Sequence, residues 1–174
     1  QMEELSNGNI VMTYTMRNPN SIQYVQTNYQ VIDNNGDTVT SGIVPCNYNS
    51  FETAGGKVIE TNNGGFLISW HTEKLGFGNN ARDIWACYFD ENGNQIGTEF
   101  RLHEYEAGFQ YGNQTTALLN GDIVTTFYDT ATQSTAGDQI NVHRINAPNI
   151  SLNNTDELFA GNFYGDGTDR ILIN

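Results

Sequence analysis

Basic side chains are scarce in this chain. Of its 174 residues, only 7 are Lys or Arg, against 20 Asp or Glu, so the formal net charge at pH 7 is −13. Nucleic acids and anionic membrane surfaces are bound through Lys and Arg contacts to phosphate, and a strongly acidic surface is repelled by both. We therefore expect no nucleic acid among the partners of this protein.

Long hydrophobic runs are also missing. No apolar stretch approaches the roughly 20 residues that a membrane-spanning helix needs, so we expect no membrane insertion. The chain begins with Gln1 and has no segment with the composition of a signal peptide. We interpret it as a mature or trimmed piece of a longer protein.

Cysteine is rare as well. Cys46 and Cys87 lie 41 residues apart, which is not a metal-binding spacing. A disulfide between them is one interpretation for a secreted protein, and two buried free thiols are the other. The sequence leaves both open.

Helical periodicity and the common catalytic motifs are absent too. No segment has a sustained apolar period of 3.6 residues with capping residues at its ends. The chain also lacks a Gly-x-Ser-x-Gly elbow, a phosphate-binding loop and a Cys/His dyad signature. These absences favour an all-β protein without a recognisable nucleophile.

What the sequence does contain is a repeated hairpin. An apolar segment enters an Asn-Gly or Asn-Gly-Gly corner and leaves as a β-rich strand, with the turn glycines Gly8, Gly64 and Gly121 lying 56 and 57 residues apart. We expect type I′ turns, because these need positive φ at two central residues and Asn-Gly tolerates it. A second turn, Asp-x-x-Gly, occurs at 33–36 and 90–93. We expect its Asp to cap the turn rather than to bind an ion.

The repeat predicts the fold. Each unit of about 57 residues offers four short strands, and the units span approximately 5–61, 62–118 and 119–174 of a single all-β repeat domain over residues 1–174. Short antiparallel strands at this spacing are typical of β-propeller blades. Propellers usually have four to eight blades. Three blade-like units therefore predict a β-propeller-like fold that is either partial or completed by self-association.

One resemblance covers most of residues 5–145. The hairpin pattern, together with the segment at 84–100 in which an aromatic residue and Asp precede x-x-Gly, resembles the propeller-type repeats of large secreted or surface bacterial proteins. The resemblance implies a secreted or cell-surface location. It also implies a non-catalytic structural or binding module, adhesive or carbohydrate-binding, whose partner is a glycan or an extracellular protein.

A second resemblance lies at 161–173. This segment is similar to an FG-GAP repeat, the integrin-α type of propeller blade, which commonly holds Ca²⁺ in an Asp-rich loop. The resemblance implies a Ca²⁺ site formed by Asn162, Asp166 and the carbonyl of Thr168. Tyr164 and Arg170 stand where the family has oxygen ligands, and Ca²⁺ requires six to eight oxygens. The alternative is a loop that keeps the turn without the metal.

Four aromatic residues are candidates for ligand binding, because aromatic rings in a groove stack on sugar rings; they are Trp70, Trp85, Tyr105 and Tyr111. Trp70 has equivalents after the other two hairpins, Tyr14 and Phe127. That equivalence favours packing between neighbouring sheets for these three positions. Trp85 alternates with Ile84 along its strand, so we expect the two side chains to face opposite ways.

Two further functions remain open. The terminal segments 1–6 and 170–174 resemble the strand before each hairpin, so the chain is alternatively a self-assembling surface or filament subunit, a homo-oligomer formed by strand addition. The third hypothesis is a propeller-fold glycan hydrolase or lyase. Its two carboxylates would come from Glu73, Asp83, Glu104 and Glu106. In a chain with 20 acidic residues such a pair is unspecific, and we predict a protein that is not an enzyme.

Overall fold

A computed structural model describes residues 1–17, 25–45, 51–74, 82–103, 109–129 and 139–146. These residues form eleven strands and no helix, which confirms the all-β prediction. The strands are β1 (Met2–Glu4), β2 (Ile10–Arg17), β3 (Val25–Ile32), β4 (Thr38–Ile43), β5 (Phe51–Glu60), β6 (Phe66–Lys74), β7 (Arg82–Phe89), β8 (Gln95–Arg101), β9 (Gln110–Ala117), β10 (Ile123–Asp129) and β11 (Gln139–Ile145).

The strands form three antiparallel sheets. The first sheet has the order β1-β2-β3-β4, the second β5-β6-β7-β8 and the third β9-β10-β11 among the described residues. Neighbours in each sheet are also neighbours in the chain, so every sheet is a meander of hairpins. The sheets span residues 2–43, 51–101 and 110–145, and the units expected from the sequence each begin one strand later than the sheets do.

The hairpin turns are not of the expected type. The N–H of Gly8 donates to the carbonyl of Leu5 at 2.8 Å, and the N–H of Leu5 donates to the carbonyl of Asn9 at 2.8 Å. Gly8 has a φ of 86°, and no non-glycine residue described has a positive φ. The loop therefore has three residues: two form the centre of a type I turn, and the third is the left-handed glycine. The type I′ prediction is wrong, because the closing strand pair leaves three residues in the loop and only the glycine takes positive φ.

The same turn occurs five times among the described residues. The same two hydrogen bonds close the turns that contain Gly36, Gly64, Gly93 and Gly121. The φ angles of these glycines are 87°, 84°, 84° and 92°. In the second of the five turns, Oδ1 of Asp33 also accepts hydrogen bonds from two backbone N–H groups further along the turn, at 2.8 and 2.9 Å. Asp90 does the same in the fourth turn. Both aspartates therefore cap their own turns, as the sequence predicts.

The first and second sheets pack face to face through aromatic rings. Tyr29 lies against Phe89 with ring centroids 4.8 Å apart, and Phe66 stacks on Phe89 at 5.2 Å. The Tyr29 hydroxyl donates to the carbonyl of Gly93 at 3.0 Å. The buried residues of this interface are Leu5, Val11, Tyr29, Val31, Val44, Val58, Phe66, Ile68, Trp70, Cys87 and Phe89.

The second and third sheets enclose another core. Its buried residues are Ile59, Leu67, Ile84, Ala86, Tyr88, Leu102, Ile123 and Phe127. The second sheet is therefore covered on both faces, and β6 alternates between the two cores: Phe66 faces the first sheet, whereas Leu67 faces the third. This explains why β6 is apolar at nearly every position from Phe66 to Trp70.

Each sheet uses the same two faces. The first hairpin of each sheet contains the turn glycine Gly8, Gly64 or Gly121. The second residue after this glycine points to the preceding sheet, as Phe66 and Ile123 do, and we call this side the preceding face. The next residue points to the following sheet, as Val11 and Leu67 do, and we call this side the following face. Whether a side chain is buried therefore depends on which sheets stand beside its own.

The aromatic residue after each hairpin illustrates this rule. Trp70 and Phe127 are 1% and 4% exposed, which supports the interpretation that they pack between sheets. Tyr14 occupies the equivalent position on the preceding face of the first sheet and is 37% exposed. No described sheet lies on that side of Tyr14.

Cys87 is a free thiol inside the core between the first and second sheets. Burial, together with the negative charge of Glu99, raises the pKa of Cys87 to about 12. A thiol in this state is an apolar core residue rather than a nucleophile. Cys46 lies outside the described residues.

Candidate binding site at the end of the second and third sheets

Charged and aromatic side chains meet where β7 begins, β8 ends and β9 begins. Arg82, the first residue of β7, forms an isolated parallel bridge with Phe109, just before β9. The N–H of Leu102 donates to the carbonyl of Ile84 at 2.9 Å, which holds the end of β8 beside the start of β7. We call the group here the arginine–aromatic cluster; it comprises Arg82, Asp83, Trp85, Arg101, His103, Phe109, Tyr111 and Tyr128.

The β7–β8 register places Arg101 beside Trp85. The guanidinium carbon of Arg101 lies 5.3 Å from the centre of the Trp85 ring, within the range of a cation–π contact. An NH₂ nitrogen of the same guanidinium lies 3.8 Å from Oδ2 of Asp83. Arg101 therefore fixes the indole and the carboxylate relative to each other, and about a third of its side chain stays exposed.

Asp83 has a second partner on its other oxygen. Nε2 of His103 lies 3.3 Å from Oδ1 of Asp83. The His103 side chain is 1% exposed, and its ring lies 5.7 Å from the Phe127 ring. Oδ1 of Asp83 is buried beside this imidazole and the side chain is 16% exposed, so Oδ2 is the oxygen that could accept a hydrogen bond from a hydroxyl group.

The second arginine of the cluster lies over two aromatic rings. The guanidinium carbon of Arg82 is 5.7 Å from the centre of the Tyr111 ring and 6.0 Å from that of Phe109. Tyr111 stacks on Tyr128 with 5.5 Å between centroids and 16° between ring planes. Tyr128 is exposed on the surface of the third sheet, so the pair presents aromatic area to solvent.

Two of the four aromatic residues predicted to bind a ligand contact the arginines of the cluster. Trp85 packs against the core between the first and second sheets and faces away from Ile84 as expected, whereas Tyr111 lies in the third sheet beneath Arg82. Trp70 has to be withdrawn from the candidates, because it is 1% exposed and lies inside the first core. Tyr105 lies outside the described residues.

The arginines of the cluster were not among the residues that sequence reasoning selected. The signal that could have found them is the scarcity of basic residues. With 7 Lys and Arg in 174 residues, an arginine at the start of one strand and another at the end of the next stand out. Their aromatic partners depend on strand register and sheet packing, which the pattern does not give.

The described residues hold no group of three or more His, Cys, Asp and Glu side chains that could bind a metal ion. Asn162, Asp166 and Thr168 lie outside them, so the Ca²⁺ site stays a prediction. In the same part of the chain there is no helix that could span a membrane. Of the carboxylates considered for catalysis, Asp83 is the one whose side chain is described, and Arg101 and His103 are its partners.

Comparison with known proteins finds similarity in structure. No family model matches the chain, and no curated protein matches it in sequence. A crystal structure of a protein of unknown function from Dyadobacter fermentans is similar with a TM-score of 0.56 and 13% identity over 83% of this chain. An endo-arabinase from Bacteroides thetaiotaomicron is similar with a TM-score of 0.54 and 8% identity over 86% of this chain.

At these identities the likeness shows the fold alone. The matched region covers 36% of the Dyadobacter protein and 56% of the endo-arabinase, so this chain spans a third to just over half of those chains. The three antiparallel sheets therefore correspond to part of a longer chain in both proteins.

Proposed function

We propose that this chain is a non-catalytic, extracellular binding module built of blade-like repeats, and that its ligand is a glycan. The arginine–aromatic cluster is the binding surface. The observation that carries this proposal is that two arginines lie over aromatic rings near the start of β7, Arg101 over Trp85 and beside Asp83, and Arg82 over Tyr111 of the third sheet.

The chemistry of the cluster suits a sugar. Arg101 lies over Trp85, and Arg82 and Tyr128 flank Tyr111, so the exposed ring of Tyr128 is the flat apolar face onto which a pyranose or furanose ring can stack. The Asp83 carboxylate accepts hydrogen bonds from hydroxyl groups, and guanidinium groups donate them. A mainly apolar surface with a few oriented polar groups is the usual composition of a small-ligand site.

The location is part of the same proposal. Resemblance to repeats of secreted and surface bacterial proteins supports an extracellular module, and a formal charge of −13 is compatible with high solubility. Similarity to part of two longer folds supports a propeller-like arrangement of the sheets.

Affinity gel electrophoresis tests the proposal. The protein would be run through native gels that contain soluble polysaccharides, with arabinan, xylan, pectin and β-glucan as separate probes. We expect at least one of them to retard the wild-type chain. Trp85→Ala and Tyr111→Ala should each weaken binding roughly two- to ten-fold, the loss expected for one aromatic contact. Tyr14→Ala is the matched control, because Tyr14 is a partly exposed aromatic residue on the first sheet; the retardation of each chain is taken relative to the same chain in a gel without polysaccharide, which separates binding from a change in association.

Two results would contradict the proposal. Equal loss of retardation in the Tyr14→Ala control would remove the cluster as the binding surface. Release of reducing sugars from any probe by the wild-type chain would overturn the non-catalytic assignment and favour a glycan hydrolase. In that case Asp83→Asn would be the first variant to assay, because Asp83 is the carboxylate that the cluster orients.

A further inference from the structure

The outer faces of the first and third sheets carry exposed apolar side chains. On the preceding face of the first sheet these are Ile10, Tyr14 and Met16, and on the following face of the third sheet they are Tyr128, Ile140 and Val142. Val142 and Ile140 are 68% and 69% exposed. Apolar rows of this kind on a sheet face indicate a surface that another element covers.

The two faces are complementary rather than alike. Counted from the turn glycines, Ile10 and Tyr14 are equivalent to Phe66 and Trp70, which pack against the first sheet. On the third sheet, Val142 pairs with Thr126 as Tyr29 pairs with Thr13 in the first sheet, and Tyr29 packs against the second sheet. The preceding face of the first sheet is thus equivalent to surfaces that pack on an earlier sheet. The following face of the third sheet is equivalent to surfaces that pack on a later sheet.

Polar contacts between the sheets repeat along the chain. In the hairpin turn of the first sheet, Ser6 Oγ donates to Glu60 Oε1 at the end of β5 at 2.5 Å. One repeat later, Asn62 Nδ2 donates to the carbonyls of Leu118 and Leu119 at 3.3 and 2.8 Å. Continuing the series, the next turn residue is Leu119, which is fully exposed, and the positions equivalent to Glu60, Leu118 and Leu119 before the first turn glycine are Glu4, Leu5 and Ser6.

Charge also matches across the two faces. Val31 lies against the turn at Gly93, since a Cβ on that glycine would be 3.1 Å from Val31 Cγ2. In a contact between a third sheet and a first sheet, the equivalent positions are Arg144 on the third sheet and Gly36 in the acidic turn 33–37 of the first sheet. The Arg144 side chain pairs with Asp122 and is still 57% exposed. A basic group of one face would therefore meet the acidic turn of the other.

We propose that two copies of this chain associate head to tail. The following face of the third sheet in one copy packs on the preceding face of the first sheet in the other, in the way that neighbouring sheets pack within the chain. A pair with both contacts formed would contain six sheets, which lies within the range of four to eight typical of propellers. The proposal does not rest on glycan binding, although Tyr128 belongs both to this face and to the arginine–aromatic cluster.

Sedimentation equilibrium over a range of protein concentrations tests the proposal. The experiment uses about 0.15 M salt, so that the two acidic chains are screened from each other. We expect the wild-type chain to be an oligomer. Val142→Lys places a charge on the following face of the third sheet, and Tyr14→Lys places one on the preceding face of the first sheet. Val39→Lys is the matched control, because Val39 is an exposed apolar residue at the bulge of β4, outside the strand pairing.

Mixing the variants distinguishes the direction of assembly. We expect Val142→Lys and Tyr14→Lys each to be monomeric with an unchanged circular dichroism spectrum, and their equimolar mixture to form heterodimers, since each variant keeps the face that the other has lost. A monomeric wild-type chain at every concentration would overturn the proposal. A single variant that stays dimeric would also overturn it, because this result indicates contact between like faces. Dissociation of the Val39→Lys control would overturn it as well.

Discussion

At the scale of residues, Gly36 and Gly93 occupy equivalent turns but differ in their surroundings. Both have positive φ, of 87° and 84°. A Cβ on Gly36 would meet nothing within 4 Å, whereas a Cβ on Gly93 would lie 2.3 Å from Thr40 Cγ2 in the first sheet. The first position therefore requires glycine for its backbone alone, and the second requires it for backbone and sheet packing.

Substitution of these glycines by alanine should separate the two effects. We expect Gly36→Ala to lower the free energy of unfolding by about 1–2 kcal/mol, the cost of a left-handed alanine. Gly93→Ala should cost roughly 1–3 kcal/mol more, because overpacking displaces the first sheet. Urea unfolding of both variants measures this difference. Equal losses would mean that the turn at Gly93 does not limit the approach of the two sheets.

Asp33 gives a prediction for pH. The backbone N–H groups of Asp37 and Asn35 donate to its carboxylate and hold its pKa below the usual value of 3.8. Because the pKa is lower in the folded chain, the cap stabilises the fold above the unfolded pKa, and this contribution is lost as the pH falls through the folded pKa. We expect Asp33→Ala to be less stable than wild type at neutral pH, and the difference to shrink below about pH 4.

The control for Asp33 is Asp37→Asn, which removes a charge from the same turn and leaves the capping carboxylate in place. Urea unfolding of the two variants from pH 2.5 to 7 is the measurement. A stability difference for Asp33→Ala that stays constant through acidic pH would show that the charged form of this side chain does not cap the turn.

The turn residues show how far local sequence determines local structure. The Asn-Gly and Asp-x-x-Gly patterns locate the turns correctly, because glycine at positive φ has few alternatives. They do not determine the turn type. That depends on which residues close the hairpin, and the Leu5–Asn9 pair leaves a loop of three residues where two were expected.

At the scale of elements, Trp70 and Tyr14 are equivalent residues whose burial depends on the neighbouring sheet. Trp70→Ala should lower the free energy of unfolding by about 3–5 kcal/mol, as is typical of a large side chain removed from a core. Tyr14→Ala should cost roughly 1 kcal/mol or less in the dilute monomer, because Tyr14 is partly exposed. Urea unfolding at low protein concentration tests this contrast. Similar losses would mean that Tyr14 is as well packed as Trp70, which would contradict an uncovered preceding face of the first sheet.

The elements themselves were largely predictable. Alternating apolar residues and the repeated turns give the strands and their order, since each hairpin joins neighbours in one sheet. The pairing of Trp85 with Arg101 was not predictable in the same way. The β7–β8 register shifts between Ala86 and Tyr88, and a sequence pattern does not show where an extra residue is accommodated.

At the scale of the whole molecule, the candidate site arises from the ends of two sheets. Asp83 and its partner Arg101 lie in the second sheet, His103 follows the end of that sheet, and the aromatic pair formed by Tyr111 and Tyr128 lies in the third. Because Arg82 of the second sheet lies over Tyr111 of the third, packing between the sheets completes the cluster. Sequence reasoning found Trp85 and Tyr111 as aromatic candidates but not the arginines that lie over them, since these contacts depend on the β7–β8 register and on packing between the sheets.

The stacking of sheets through equivalent faces is the central claim, and it extends from one chain to the next. A cross-link between copies tests it most directly, with Glu4→Cys in one chain and Leu119→Cys in another. Both are made with Cys46→Ser, which leaves the buried Cys87 as the other thiol. With a short bifunctional maleimide, we predict that heterodimers exceed both homodimers, because the repeat brings Leu119 of one copy to Glu4 of the next. Homodimers alone, or no cross-linked product, would contradict head-to-tail stacking.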